Sequence, residues 1–369
     1  MKKIMLVFGT RPEAIKMAPL VKALERRKEF EVVVCVTAQH REMLDQVLEL
    51  FQITPQYDMN IMKEGQTLYD ITADVLVGLR DILREVTPDL LLVHGDTTTT
   101  MAASLAGFYE GISVGHVEAG LRTGNKRSPW PEEMNRRISD VIADYYFAPT
   151  ELNRENLLRE NVPPEQIFVT GNTVIDALFW AVKQECDLND LGLADVDWEK
   201  KVILLTCHRR ENWGAPMAEI FGAVRRLKDD HADVEIVFPM HKNPKVRQLA
   251  EKYFRGVAGI HCIEPLDYHP FSLLMAKSYL VLTDSGGIQE EAPSLGKPVL
   301  VLRDTTERPE AVAAGTVKVV GTRSEAILRE AERLLTDNAA YADMAGKTNP
   351  YGEGNSSLKI CEIIAKKRS

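Results

Sequence analysis

The chain has few of the features that mark a secreted, a membrane or a nucleic-acid-binding protein. Its five cysteines are scattered without a Cys-x-x-Cys pair, which fits a reducing compartment and argues against disulfides or a zinc cluster. It contains no run of the ~18 apolar residues that a membrane helix needs, and residues 3–8 are too short a run for a signal peptide. A net charge of −9 offers no positive field to nucleic acid. We therefore expect a soluble, cytoplasmic protein that binds neither membrane nor nucleic acid.

Short apolar runs are the most regular feature of the sequence. Each is followed by a loop and a longer amphipathic stretch, as in parallel sheets whose strands are buried on both faces. Predicted strands cover residues 3–8, 31–36, 89–93, 112–117, 201–206, 234–238, 260–263, 279–283 and 298–302. Residues 14–27 have the apolar spacing of a helix. Strands that alternate with helices predict the α/β class, with Rossmann-like, doubly wound parallel sheets.

A length of 369 residues suits two domains. The alternation breaks at residues 185–199, an acidic segment that we interpret as the connection between domains. We place one domain at residues 1–172 and a second at 173–354, with a helix at about 355–369 that packs back on the first. Two such domains would face a cleft, and their ligands would bind at the carboxyl ends of the strands.

The loop after the first predicted strand, GTRPEAIK (9–16), has the features of an anion site. Gly9 permits a tight turn and Pro12 suits the first turn of a helix. A helix N-terminus beside Arg11 and Lys16 would attract an anion; the alternative is that both cations are merely solvated. The loop has no GxGxxG fingerprint, which weakens the hypothesis of an NAD-binding protein.

Acidic residues follow the later strands of the first half. The motifs are HGDTTTT (94–100), GHVEAGLRTG (115–124) and SPWPEEMNR (128–136). Asp96 and Glu118 lie just past apolar strands, and Glu132 lies where a proline-rich loop leads into a helix. Carboxylates placed in this way suit acid/base catalysis or the stabilisation of a developing cation. A structural role for one of these acids, as a cap or an ion-pair partner, remains an alternative. A metal site is the other alternative, with His94, Asp96, His116 and Glu118 as ligands.

The second half carries a sharper signal at SGGIQEEAPSLGKP (285–298). Ser285, Gly286 and Gly287 lie where a strand ends and a helix begins, so exposed N–H groups could touch a diphosphate. An unoccupied glycine-rich turn is the alternative. Glu291, further along this helix, could reach ribose hydroxyls. His208, in HRREN (208–212), becomes a phosphate ligand or an acid candidate at the end of another strand.

Together these motifs make the chain resemble the non-hydrolysing UDP-N-acetylglucosamine 2-epimerases, which have the two-domain GT-B fold. The resemblance covers essentially the whole length. It depends on GTRPEAIKMAPL (9–20), TAQHREMLDQ (37–46), VHGDTTTT (93–100), GHVEAGLRTG (115–124), SPWPEEMNR (128–136), TGNTVIDAL (170–178), HRREN (208–212) and TDSGGIQEEAPSLGKPVLVLRDTTERPEA (283–311). Eight motifs in the same order are very specific.

The resemblance implies roles for individual residues. Arg11, His208, Ser285 and Gly286 would hold the diphosphate, Glu291 the ribose, and Phe271 would lie near the uracil. The catalytic residues around the sugar would be Lys16, Asp96, Glu118 and Glu132, with His208 as a further candidate. Many members are activated by their own substrate at a second site, for which the candidates here are Gln39, His40 and His241.

The family reaction inverts carbon 2 of the sugar reversibly. UDP is eliminated to leave 2-acetamidoglucal, and it adds back after a proton has returned to the opposite face. Neither NAD nor a metal is required, and the product would supply cell-surface polysaccharide. The partners implied are UDP-N-acetylglucosamine, UDP and a second copy of the chain.

Three other functions share some of these features. A GT-B glycosyltransferase would use the same diphosphate site but need an acceptor, and a hydrolysing 2-epimerase would release UDP in step with free sugar. A nucleotide-sugar sensor is a poorer match, because binding a neutral sugar does not require three carboxylates.

Overall fold

The computed structural model describes residues 1–38 and 41–366. They form two compact units, one from Met1 to Ala177 together with the chain from Tyr351 onward, the other Leu178–Pro350. Each unit is built on a parallel sheet, so the predicted class of two parallel α/β domains is confirmed. Among the helices in these ranges, none combines the length and apolarity needed to cross a membrane.

The first unit contains a seven-stranded sheet of order β3-β2-β1-β4-β5-β6-β7. Its strands are β1 (Lys2–Phe8), β2 (Phe30–Val36), β3 (Tyr57–Asp58), β4 (Leu90–His94), β5 (Ser113–Val117), β6 (Tyr145–Ala148) and β7 (Ile167–Val169). Its helices are α1 (Arg11–Glu25), α2 (Arg41–Leu50), α3 (Leu68–Val86), α4 (Thr98–Tyr109), α5 (Glu132–Ile142), α6 (Glu151–Arg159) and the start of α7 (Thr173–Ala181). The order in which the chain adds strands reverses between β1 and β4, which pair in parallel. Ligands of doubly wound sheets bind at such a reversal of strand order.

The second unit contains a six-stranded sheet of order β10-β9-β8-β11-β12-β13. Its strands are β8 (Lys201–Thr206), β9 (Val234–Pro239), β10 (Ile260–Ile263), β11 (Leu280–Thr283), β12 (Val299–Val301) and β13 (Val317–Val319). Its helices are α8 (Ala215–Asp230), α9 (Pro244–Phe254), α10 (Tyr268–Lys277), α11 (Gly286–Glu291), α12 (Pro309–Ala313), α13 (Ser324–Thr336) and α14 (Asn338–Ala345). Here the reversal lies between β8 and β11. The last helix, α15 (Ser356–Lys366), belongs to the first unit and packs against α1.

Apolar side chains on both faces explain why the predicted strands form. All five residues of β4 are buried, and Ile4, Met5 and Leu6 of β1 are fully enclosed between two helical layers. The nine strands expected from apolar runs are all present. Four further strands, β3, β6, β7 and β13, were not predicted from the sequence and have two to four residues each.

The first helix begins at Arg11, so Pro12 lies in its first turn as predicted, and the Glu13 carboxylate caps the helix by accepting the Thr10 N–H at 2.7 Å. One expectation differs from the structure. The acidic segment 185–199 does not connect the units. It lies in the second unit, where Leu188, Leu193 and Val196 are buried, and the chain crosses between units within α7 and again after Pro350.

Candidate active site

Glu118 occupies the end of β5 and is the centre of a polar cluster in the first unit. Its Oε2 atom forms a salt bridge with Lys16 Nζ and accepts a hydrogen bond from Asn172 Nδ2 at 2.9 Å. The Glu118 backbone has φ +67°, a left-handed conformation that is strained for a residue with a side chain. A carboxylate held in this way lies beside the β1–β4 reversal, so the predicted pair of Lys16 and Glu118 is brought together.

His94 lies behind the same carboxylate. Its Nε2 atom is 3.7 Å from Glu118 Oε2, beyond hydrogen-bonding distance, and its side chain is almost completely buried. Burial lowers the pKa of His94 to about 3, although the Glu118 charge acts in the opposite direction. His94 is therefore a neutral imidazole at neutral pH.

Asp96 follows β4 and is held at both its side chain and its backbone. Its Oδ2 atom forms a salt bridge with Arg136 of α5, whose guanidinium is buried. Asn135 Nδ2 donates to the Asp96 carbonyl oxygen at 3.0 Å. A carboxylate fixed to a guanidinium points in a defined direction.

The adjacent acids Glu132 and Glu133 have different environments. Glu133 is fully buried and accepts the backbone N–H groups of Thr123 and Gly124 at 3.0 and 3.2 Å. Glu132, the first residue of α5, is partly exposed. Glu133 is thus a structural anchor of the loop, and Glu132 remains the candidate for chemistry.

Glu13 anchors the loop between β1 and α1. It is 2% exposed and accepts N–H groups of Gly9 and Thr10 and the hydroxyls of Thr97 and Thr100. A Cβ on Gly9 would lie 1.9 Å from the Thr37 hydroxyl, so only glycine fits there. This arrangement sets the start of α1, of which Arg11 is the first residue.

His116 completes the first unit's polar cluster. Its ring nitrogens contact Asp140 Oδ1 at 2.6 Å and the Gly95 carbonyl oxygen at 2.7 Å. The ring therefore has both nitrogens engaged by protein atoms. Across the described ranges no group of three or more His, Cys, Asp or Glu side chains is arranged to hold a metal.

In the second unit, Asp284 holds the loop that follows β8. Its fully buried carboxylate accepts the backbone N–H groups of His208 and Arg209 at 2.9 and 2.8 Å and a bond from Asn212 Nδ2 at 3.0 Å. Its other oxygen lies 3.2 Å from His208 Nδ1. Burial lowers the pKa of His208, and the Asp284 charge opposes this effect.

Two guanidinium groups flank the glycines after β11. A Cβ on Gly286 would lie 3.6 Å from Nη2 of Arg209 and 3.8 Å from Nη2 of Arg308. Arg308 also pairs with Glu290, a buried carboxylate. Ser285 precedes Gly286 and Gly287 at the start of α11. This turn therefore combines positive charge with glycine backbone that a ligand can approach closely, as an anion site requires.

The remaining second-unit candidates line the same region. A cavity of about 190 Å³ is lined by residues that include His208, His241 and Phe271, and the two imidazole rings stack at 5.8 Å. Glu291 lies on α11 near the buried hydroxyl of Tyr268, whose pKa is raised well above its usual value by burial and by the Glu291 charge. His241, predicted for an effector site, therefore shares the cavity of Phe271. Gln39 and His40 lie outside the described residues.

Several residues of the site were missed by the sequence analysis. Asn172, Arg308 and Asp284 lie in quoted motifs, TGNTVIDAL, TTERPEA and TDSGG, but were given no role. Their partners are distant in sequence: 54 positions separate Asn172 from Glu118, and 75 separate Arg209 from Asp284. A motif can mark such residues, but only the fold reveals the pairing.

Known proteins match the chain throughout its length. The family described as UDP-N-acetylglucosamine 2-epimerase matches residues 22–365. The UDP-N-acetylglucosamine 2-epimerase of Bacillus subtilis strain 168 is 57% identical over 362 residues, covering 98% of this chain and 94% of its own. The enzyme of that name from Escherichia coli K12 is 55% identical over 372 residues, covering 99% of both chains.

Similarity extends to solved structures. The crystal structure of UDP-GlcNAc 2-epimerase from Neisseria meningitidis bound to UDP-GlcNAc has a TM-score of 0.87 and 52% identity. The alignment covers 99% of this chain and 100% of that one. With fold, family match and close relatives in agreement over nearly every residue, the chain belongs to the UDP-N-acetylglucosamine 2-epimerase family.

Proposed function

We propose that the protein interconverts UDP-N-acetylglucosamine and UDP-N-acetylmannosamine without hydrolysis, by eliminating and re-adding UDP. The observation that supports this most is Glu118, a carboxylate in a strained backbone conformation, tied to Lys16 and Asn172. Strained residues of this kind concentrate at active sites. The names of the relatives and the UDP-GlcNAc bound to the Neisseria enzyme supply the substrate.

In the UDP-linked sugar carbon 2 has no adjacent carbonyl, so its proton is not acidic on its own. In the elimination, the bond between carbon 1 and the diphosphate oxygen breaks and the oxygen takes the electron pair. Positive charge develops at the anomeric carbon, as in glycoside hydrolysis, and the carbon 2 proton passes to a carboxylate. Re-addition reforms the bond after a proton has reached carbon 2 from the other face. Asp96, Glu118 and Glu132 are the groups we assign to these steps.

Departure of UDP requires stabilisation of the leaving diphosphate. Arg209 and Arg308, on either side of Gly286, supply positive charge, and the N–H groups at Ser285 to Gly287 supply donors. His208, oriented by Asp284, adds a ring donor when protonated. Arg11 is assigned to the same diphosphate. Preorganised groups of this kind act where charge develops and so lower the barrier.

The nucleoside has its own contacts in this proposal. Phe271 and the stacked imidazoles of His208 and His241 provide flat surfaces for the uracil in the second-unit cavity. Glu291 accepts from the ribose hydroxyls.

The reaction itself is the first test. Protein dialysed against EDTA and supplied only with UDP-N-acetylglucosamine should form UDP-N-acetylmannosamine, because side chains supply every proton and charge that the elimination needs. Proton NMR of the mixture measures both nucleotide sugars, free sugar and UDP. The proposal is wrong if EDTA abolishes turnover and a divalent metal restores it. It is also wrong if UDP accumulates in step with free N-acetylmannosamine, or if an acceptor is required.

The diphosphate assignment is tested by a matched pair of arginines. Arg209→Ala removes a guanidinium next to Gly286, whereas Arg210→Ala removes the neighbouring exposed arginine. Losing one charge-assisted contact of ~1.5–3 kcal/mol should weaken UDP binding about 10- to 100-fold, and calorimetric titration with UDP measures it. The Arg210 variant should bind like wild type. Equal affinities for both variants would exclude Arg209 from the site.

An exposed apolar surface on the first unit supports a homodimer. Helix α4 packs against both α3 and α5, so the exposed side chains of the three helices adjoin one another. The exposed apolar residues are Tyr69, Val77, Phe108, Tyr109, Met134, Ile138 and Val141. On α5 the last three recur at the spacing of one helical face. Apolar groups gathered in this way favour association, and a self-complementary patch pairs with its own copy.

Charge placed on this surface should separate the subunits. Val141 is 83% exposed, and Val141→Lys would bury two cations in a symmetric interface. Leu358→Lys, on α15, is the control at a 54% exposed apolar position. Sedimentation velocity should report a dimer for wild type and for Leu358→Lys, and monomer for Val141→Lys at the same concentration. A monomeric wild type, or a Val141→Lys variant that stays dimeric, would contradict the proposed interface.

A further inference from the structure

Helix α5 presents a row of charged residues to the loops that carry the candidate carboxylates. Glu132, Arg136 and Asp140 recur every four residues and so share one face of the helix. Glu132 is itself a catalytic candidate, and Arg136 pairs with Asp96. Asp140, the third, is not a catalytic candidate, yet it is 2% exposed and therefore needs partners for its charge.

The partners of Asp140 come from the loop around Glu118. Oδ1 contacts His116 Nδ1 at 2.6 Å, and Oδ2 accepts the Gly120 N–H at 3.2 Å. Arg122 Nη1 lies 2.8 Å from Oδ2. His116 and Gly120 stand two residues before and two residues after Glu118. One buried carboxylate therefore fixes the backbone on both sides of Glu118.

The same carboxylate reaches the Asp96 loop through His116. A carbonyl oxygen only accepts hydrogen bonds, so His116 Nε2 donates to the Gly95 carbonyl at 2.7 Å. Burial opposes ionisation of Asp140, but the charges and hydrogen bonds of His116 and Arg122 outweigh it and lower its pKa. Because Nδ1 contacts Asp140 Oδ1 at 2.6 Å, the His116 ring bridges Asp140 and Gly95. Gly95, directly before Asp96, is thereby tied to α5.

Glu118 has particular need of such support. At φ +67° its backbone is strained and would relax to an ordinary conformation unless neighbouring residues prevented it. Gly120 lies close to the backbone of α6, because a Cβ there would lie 2.3 Å from the Asn153 carbonyl oxygen. The bonds of Asp140 to residues 116 and 120 hold the strained segment at both ends.

We propose that Asp140, acting through His116 and Gly120, is a positioning residue that holds Glu118 and Asp96 in the geometry needed to return a proton to carbon 2. This inference rests on the proposed epimerisation. Asp140 touches neither substrate nor reacting atoms, and its loss moves the carboxylates without removing one. The step most sensitive to their position is re-addition, because an intermediate that is not protonated in time leaves the site as 2-acetamidoglucal and UDP.

The partition of the intermediate is the measurement that separates positioning from mere stability. The ratio of 2-acetamidoglucal released to UDP-N-acetylmannosamine formed does not depend on how many molecules are folded. Asp140→Asn keeps the size of the side chain and removes its charge. Because a misplacement of ~1 Å at a reacting group can cost about 10²-fold in rate, kcat should fall by about 10- to 100-fold. The ratio should rise several-fold, while KM changes little because the diphosphate contacts remain.

Asp176→Asn is the matched control. Asp176 is a half-buried aspartate of the first unit, and it accepts the backbone N–H groups of Ser356 and Ser357 at the start of α15. This variant should lower Tm and leave the ratio at its wild-type value. His116→Gln alters the same set of contacts from the other side and should raise the ratio as Asp140→Asn does. It provides the test if Asp140→Asn is poorly folded.

Wild-type ratios in both Asp140→Asn and His116→Gln, with activity lost only in proportion to folded protein, would overturn the inference and leave Asp140 a structural residue. A ratio raised equally in Asp176→Asn would overturn it too. Failure of the proposed function looks different. In that case wild type itself forms no UDP-N-acetylmannosamine, and the inference is rejected together with it.

Discussion

Buried carboxylates that accept hydrogen bonds from loop backbone are the constraint on which both units depend. Glu13, Asp140 and Asp284 are at most 2% exposed. Carboxyl groups in such surroundings are stable only when hydrogen-bond donors surround them. The donors come from the loops at the carboxyl ends of β1, β4, β5 and β8, so satisfying the carboxyl oxygens also fixes these loops. The residues proposed for chemistry lie on these loops, and a loop that rearranged would break hydrogen bonds to a buried carboxyl group.

The two units use this constraint for different chemistry. In the first, it leaves Glu118 beside Lys16 and Asp96 beside Arg136, so the direction of each acid is set. In the second, Asp284 holds the His208 loop near a turn with Arg209 and Arg308 beside it. The proposed reaction uses both kinds of group, because carboxylates can take and return a proton and cations can stabilise a departing diphosphate.

Much of the fold could be predicted from the sequence, because strands buried on both faces leave uninterrupted apolar runs. The rule that ligands bind at strand ends also identified Glu118 and Ser285 before any pairing was known. The burial of single acids could not be predicted. Glu132 and Glu133 are adjacent and chemically alike, yet only Glu133 is enclosed, since helix α5 turns it toward Thr123. Arg308 was overlooked for the same reason, as its position beside Gly286 depends on tertiary structure.

The central claim is that side-chain acids remove one proton from carbon 2 and deliver another to the opposite face. Epimerisation in deuterated water tests it directly, with proton NMR or mass spectrometry of both nucleotide sugars. If different carboxylates serve the two faces, UDP-N-acetylmannosamine should carry deuterium at carbon 2, and recovered UDP-N-acetylglucosamine should become labelled on longer incubation. Retention of the original hydrogen at carbon 2 through complete epimerisation would contradict both the elimination mechanism and the roles given to Asp96, Glu118 and Glu132.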